Sequence, residues 1–328
     1  MSEQELSNEE VQKHQASISH IVEEISKGIV GQKHLIDRLL MALFTKGHLL
    51  LEGLPGLAKT TAIKTVGDVC DLGFNRIQFT PDLLPADITG IEIFNMQTNE
   101  FTLRKGPVFT NLLLADEINR SPSKVQAALL EAMEEKQVTI GEETFKLDQP
   151  FLVMATQNPV DQEGTYPLPE AQMDRFLFKV VVSYGSLEDE IEVMKRVAGG
   201  VFEQITKVAN KVGIEEIATA CKKVHISDEI RRYIAQIVFA TRFPERYGLS
   251  EFQNLIEYGA SPRASLALER VSKVQALFEG RNYVTPSDVK NIAMDVLRHR
   301  IKPTYEAEAS HVNSEKIVDA VLGAVAIP

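Results

Sequence analysis

Two glycines, a lysine and two threonines are the first residues whose types and spacing point to chemistry. In the stretch LLLEGLPGLAKTTAIKTVGDV, residues 49–69, Gly53 and Gly56 precede Lys59, Thr60 and Thr61. An apolar run, a glycine-rich turn and an amphipathic segment in that order predict strand, loop and helix. Such a loop holds phosphate. Backbone N–H groups of the turn and the positive end of the helix dipole face the anion, Lys59 adds a point charge, and the Thr60 hydroxyl can ligate Mg2+. The glycine that commonly precedes the lysine is replaced by Ala58. That position is expected where the helix begins, where right-handed dihedrals suffice and alanine is permitted. The expected phosphate-binding set is therefore Gly53, Pro55, Gly56, Leu57, Ala58, Lys59, Thr60 and Thr61.

A second constellation lies 57 residues beyond Lys59, where the apolar run NLLLADEIN ends in Asp116 and Glu117. A carboxylate at the end of a neighbouring strand can hold Mg2+ through its waters, and one beside it can polarise an attacking water. Asp116 is thus the expected metal residue, with Thr60, and Glu117 the expected general base. A third run, FLVMATQNP, finishes on Asn158, which can orient a water or touch a terminal phosphate; Asn-Pro is also an ordinary turn opener.

Three arginines stand in positions that the apolar pattern does not explain. Arg175, in PEAQMDRFLF, sits at a helix-to-strand junction, where it could reach a nucleotide held by an adjoining subunit or pair with Asp174 or Glu170. An arginine acting on the transferred phosphoryl group is worth ~10³–10⁵ in rate. In GASPRAS, Ser261 is the expected N-cap and Pro262 the first helical residue. Arg263 then falls in the first turn, where a cation opposes the helix dipole unless an anion binds there. Arg120, in EINRSP, begins a helix directly after the acidic pair and ranks lower, as an intersubunit contact.

The elements that must position these residues follow from periodicity. Residues 1–46 read as helices. From there to about residue 182, the runs HLLLEG, FNRIQFT, TNLLLADE, PFLVMATQNP and FLFKVVVS alternate with helical segments. Short apolar runs without alternation suit strands buried on both faces, and intervening helices make crossovers, so the pattern predicts an α/β domain with a mostly parallel sheet. IEIFNMQTNEFTLRKGPVF and KQVTIGEETFKLDQP alternate around polar turns and read as two β-hairpins. After Ser186 the strands stop and every amphipathic segment has helical spacing. Two domains are expected, 1–185 carrying nucleotide and 186–328 an all-helical lid.

Bulk properties exclude several classes. A chain of 328 residues with 44% apolar and 25% charged side chains builds a sizeable core. A net charge of −11 disfavours a surface made to hold nucleic acid backbone. Cys70 and Cys221 are the two cysteines, a pattern of reduced thiols rather than of a disulfide framework or zinc site. No stretch reaches the ~18 apolar residues of a membrane span, and MSEQELSNEE lacks the basic start and apolar core of a secretory signal. The expected location is the cytoplasm.

The strings GLPGLAKT, LLLADEINRSPSKVQAALLEAMEE, ATQNPVDQEGTYPLPEAQMDRF and GASPRAS resemble the MoxR ATPases, a branch of the AAA+ superfamily. The resemblance spans roughly residues 10–325. It implies a P-loop NTPase sheet with hairpin insertions and a helical lid. It makes Lys59 and Thr60 the Walker A pair, Asp116 and Glu117 the Walker B pair, Asn158 sensor 1, Arg175 the arginine finger and Arg263 sensor 2. It also makes IVGQ, residues 29–32, the segment lining the adenine pocket, with Ile29 and Val30 packing the base. ATP and Mg2+ are the implied cofactors, in a homo-oligomeric ring, usually a hexamer. The hairpins would face the central pore or a client. Members are thought to remodel or activate protein complexes, for instance in metal cofactor insertion, with a partner that contains a von Willebrand factor A domain. This chain ends without such a domain, so a separate partner protein is expected.

Three other readings share parts of this pattern. A magnesium-chelatase ATPase subunit has the same plan, though the MoxR-like strings favour the first reading. A nucleic acid motor calls for hairpins rich in Lys, Arg and aromatics, whereas GEETFKLD is acidic and NMQTNEFTLRKG offers only Arg104 and Lys105. The joint presence of Lys59, Asp116, Glu117, Asn158 and Arg175 argues against a non-hydrolysing ATP switch.

Overall fold

The computed structural model describes residues 6–54, 56–97, 99–158, 165–199 and 203–328. Pro55 and the stretch 159–164, part of the MoxR-like string, lie outside the described residues. In chain order the elements begin with helices α1 (Asn8–Gly28) and α2 (Lys33–Thr45), strand β1 (Leu49–Glu52), helix α3 (Lys59–Val69), strand β2 (Phe74–Gln78) and helix α4 (Pro85–Thr89). Strands β3 (Gly90–Asn95), β4 (Glu100–Lys105) and β5 (Leu112–Asp116) follow, then helix α5 (Ser123–Glu135). Strands β6 (Gln137–Ile140), β7 (Glu143–Lys146) and β8 (Leu152–Gln157), helix α6 (Glu170–Met173) and strand β9 (Phe178–Val181) complete the first part.

Five strands form one sheet in the order β2-β5-β8-β1-β9. The pairs β2 with β5, β5 with β8 and β8 with β1 are all parallel. These are the five apolar runs read from the sequence, and they are buried on both faces from β5 to β1. Register aligns Ile77, Ala115, Ala155 and Leu50 in one row across four strands. That row packs with Leu129, Leu130 and Met133 of α5 and with Val138 and Ile140 of β6 in a single apolar cluster. The next row, Gln78, Asp116, Thr156 and Leu51, points to the opposite face because side chains alternate along a strand. The two insertions are hairpins, β3 with β4 and β6 with β7, both antiparallel.

By contact clustering the chain divides into a unit of His20–Phe176 and Val180–Glu215, which holds all of the sheet except part of β9, and a unit of Met1–Ser19, Leu177–Lys179 and Glu216–Pro328. The latter is built mainly on α9 (Asp228–Ala240), α10 (Pro262–Phe278), α11 (Pro286–Leu297) and α13 (Ser314–Ala324), after α7 (Leu187–Gly199) and α8 (Lys211–Lys223) and with the short α12 (Tyr305–Ala309). Strands do not stop altogether here: β10 (Ile256–Tyr258) pairs antiparallel with β11 (Lys302–Pro303). These runs of three and two residues lie within stretches too short for periodicity to reveal. The last helix, α13, buries Ile317, Val318 and Val321.

Cys70 and Cys221 are free and buried, and burial pushes both thiols up to about 12. No helix among the described residues is long and apolar enough to cross a membrane.

Candidate active site

The loop after β1 is shaped by two different demands on glycine. A Cβ at Gly53 would stand 2.6 Å from the Val182 carbonyl oxygen. No side chain fits there, because the Val182 N–H is already drawn to the Glu52 carbonyl at 2.8 Å. Gly56 has open space around it but a φ of +84°, the left-handed region in which glycine is unstrained. Ala58 corrects the sequence expectation, with φ 55° and ψ 20° rather than right-handed dihedrals. It is the residue before α3, contributing its carbonyl to Ala62 N–H at 2.8 Å without adopting helical backbone itself. Left-handed backbone at a residue with a Cβ costs about 1–2 kcal/mol.

Ala58 makes no side-chain cap hydrogen bond, so it leaves the first-turn N–H groups of α3 uncapped. They remain directed at the cavity in front of the helix. Lys59 Nζ donates to the Gly53 carbonyl, folding the ammonium back over the loop. Burial pushes the Lys59 ammonium below its ordinary range, and Asp116, Glu117 and Glu52 pull it partly back.

Asp116 and Glu117 are consecutive, and on a strand they would face opposite sides. Glu117 instead takes φ 56°, a left-handed turn that ends β5 and brings both carboxylates onto one cavity. A single hydroxyl ties them together. Thr156 Oγ1 donates to Asp116 Oδ1 at 2.6 Å and accepts from the Glu117 N–H at 2.8 Å.

The edge strand β2 supplies the remaining partners. Arg76 donates to Asp116 Oδ2 from Nη2 at 2.6 Å and from Nε at 3.2 Å, and its Nη2 also reaches Gln78 Oε1 at 2.9 Å. Gln78 Nε2 in turn donates to Glu117 Oε2 at 2.8 Å. Arg120 Nε lies 3.2 Å from the same Glu117 oxygen, so this arginine pairs within its own chain.

These groups enclose a cavity of about 420 Å³, lined by Gly53, Gly56 to Thr61, Arg76, Gln78, Asp116, Glu117 and Thr156 to Asn158. Its size is that of a small-molecule cleft. Its chemistry is an anion cradle, made of helix N–H groups and Lys59, facing two carboxylates. The hard oxygens of Asp116 and Thr60 suit Mg2+. Asp116 already holds a cationic group, the Arg76 guanidinium, which stands in for a metal at that carboxylate.

The structure thus brings together Gly53, Gly56, Leu57, Ala58, Lys59, Thr60, Thr61, Asp116, Glu117 and Asn158. Ile29 and Val30 lie in the link between α1 and α2 and are not among the lining residues. Arg175 is not among them either; its guanidinium pairs with Glu134 of α5 and with the Ala171 carbonyl at 3.2 Å. Arg263 is exposed in the first turn of α10, capped as expected by Ser261, whose Oγ accepts from the Arg263 N–H at 3.2 Å. Sequence reading missed Arg76, Gln78, Thr156 and Gln157. The signal was there in part: Arg76 and Gln78 are two apart in FNRIQFT and so share one face of a strand.

Residues 48–178 match the ATPase family associated with various cellular activities (AAA), and residues 250–321 match the AAA lid domain. The chain is 48% identical to the chaperone MoxR1 of Mycobacterium tuberculosis over 95% of its own length and 82% of that protein. It is 42% identical to the YeaC protein of Bacillus subtilis over 94% of its length and 93% of that protein. A crystal structure of an ATPase candidate from Cytophaga hutchinsonii is similar with a TM-score of 0.92 and 51% identity, covering 98% of this chain and 97% of the other.

Proposed function

We propose, from the premise that this chain belongs to the MoxR family of AAA+ ATPases, that it hydrolyses ATP with Mg2+ at seams between copies and uses the cycle to remodel or activate partner protein complexes. The observation that carries the reading is the meeting of Lys59, Asp116, Glu117 and Asn158 with the first turn of α3 around one cavity. Residues 1–185 are assigned to nucleotide and 186–328 to the lid.

Gly53, Pro55, Gly56, Leu57, Ala58, Lys59, Thr60 and Thr61 wrap the phosphates, Lys59 countering charge on the outer ones. Ile29 and Val30 pack the base. Thr60 and Asp116 would hold Mg2+, which when bound neutralises charge developing on the phosphoryl oxygens. Glu117 accepts the proton of the attacking water, and Asn158 orients that water. Arg175 acts on a neighbouring copy's phosphate, and Arg263 answers from the lid.

The ring, a hexamer in this reading, follows from the need for a second copy to supply Arg175. The chaperone name of the mycobacterial relative supports a protein client. That client is a separate von Willebrand factor A domain protein, met in the cytoplasm, with metal cofactor insertion as one outcome. Calorimetry of ATP and Mg2+ on assembled protein, with phosphate release followed in the same sample, tests the reading. Uptake with steady release is expected; uptake without release would make the protein a nucleotide switch, and no uptake would end the proposal.

A further inference from the structure

The guanidinium of Arg76 occupies one of the two Asp116 oxygens that a divalent cation could use. Asp116 has two oxygens. Oδ1 takes the Thr156 hydroxyl at 2.6 Å, and Oδ2 takes two donors of Arg76 at 2.6 and 3.2 Å. Both acceptor positions of Oδ2 are filled while these donors stay, and a cation at the position left on Oδ1 would sit close to the guanidinium charge. We infer that Arg76 is a resident counter-cation that competes with the divalent metal for Asp116, so the site accepts metal-loaded nucleotide by exchanging one cation for another. This rests on the ATP reading above.

Three features favour exchange over a fixed structural pair. First, the pair is accessible: the Arg76 side chain is 49% exposed and that of Asp116 19%. Ion pairs open to water contribute little and are readily broken. Second, among the described residues β2 is the edge of the sheet, so no further strand pairs with it on its outer side. Third, Arg76 Nη2 also donates to Gln78 Oε1 at 2.9 Å, and both residues line the cavity, so a released guanidinium keeps an anchor on that wall. A dication and a guanidinium at one oxygen would repel strongly at such separation. When the metal arrives, Arg76 must therefore leave, and the charge it carried faces the phosphates' side of the cavity instead of Asp116. Nucleotide without metal leaves the pair intact. Arg76 is a positioning residue here, acting through Asp116.

Binding of Mn2+, counted by its free-ion EPR signal with a non-hydrolysable ATP analogue held at the concentration of protein sites so that no excess nucleotide chelates the ion in solution, tests the exchange without turnover. Arg76→Gln is expected to bind Mn2+ about two- to fivefold more tightly than wild type, the range set by an exposed ion pair. In an Asp116→Asn background the same substitution is expected to change nothing. Unchanged or weaker Mn2+ binding in Arg76→Gln overturns the inference, with circular dichroism confirming that the variant is folded. A fluorescent ATP analogue, titrated in parallel on wild type, separates the two levels. No uptake with metal present ends the ATP reading itself, whereas uptake with Mn2+ affinity indifferent to Arg76 ends only this one.

Discussion

Gln78 Nε2 donates to Glu117 Oε2 at 2.8 Å, so the edge strand β2 holds the carboxylate that turns off the end of β5. The bond needs an acceptor oxygen, not a charge. Glu117→Gln keeps a carbonyl oxygen for Gln78 and loses the proton acceptor. Phosphate release is expected to fall about 10²–10⁴-fold, the usual worth of a general base, while ATP binding measured by calorimetry stays within a factor of a few. Equal release rates would remove Glu117 from the chemistry.

Arg175 pairs with Glu134, with side chains 33% and 39% exposed, a contact of at most about 1 kcal/mol. Arg175→Ala should therefore leave the urea midpoint almost unmoved yet lower turnover by ~10³ or more. Mixing Arg175→Ala protein with Lys59→Ala protein is expected to restore part of the activity, because a seam with one intact half from each forms in the mixture. Failure of the mixture to recover any activity would place the arginine's role elsewhere.

His48 is buried, its Nε2 3.2 Å from the Met133 carbonyl and its Nδ1 accepting the Val153 N–H at 3.0 Å. Burial pushes the imidazole down to about 4, against a weaker upward pull from the Met133 carbonyl. The depressed value means that the unfolded chain takes up the proton first. Stability is complete above about pH 6.5 and declines as pH falls from there towards 4, by about 3 kcal/mol in all. Urea midpoints from pH 7.5 to 4.5 should show this slope, and His48→Gln, less stable at pH 7.5, should flatten it. An equal slope in both proteins would assign it to other groups.

Ala58 stands at φ 55°. Replacing it by glycine removes the left-handed cost but loosens the unfolded chain, for a net gain of about 0.5–1 kcal/mol. The melting temperature of Ala58→Gly should rise. A fall of about 1 kcal/mol, the usual loss for Ala→Gly inside a helix, would mean that position 58 is right-handed after all.

Much of the fold was legible because it is written locally. Five apolar runs, two alternating segments around polar turns and the Ser261-Pro262 helix start each declare themselves within a few residues, by period and by turn chemistry. The phosphate loop and the Asp116-Glu117 pair were legible for the same reason. What sequence could not decide was adjacency. Arg76 and Asp116 are 40 residues apart, and Gln78 and Glu117 39, and only the strand order that places β2 beside β5 makes them partners. Period 2 tells which face of a strand a side chain takes, but not which strand lies next to it, because that depends on how the whole sheet buries its apolar rows. The backbone at Ala58 and Glu117 belongs to the same class. Each adopts left-handed dihedrals that its own residue type disfavours, and the surrounding hydrogen bonds, Ala62 N–H on Ala58 and Thr156 on Glu117, hold them there.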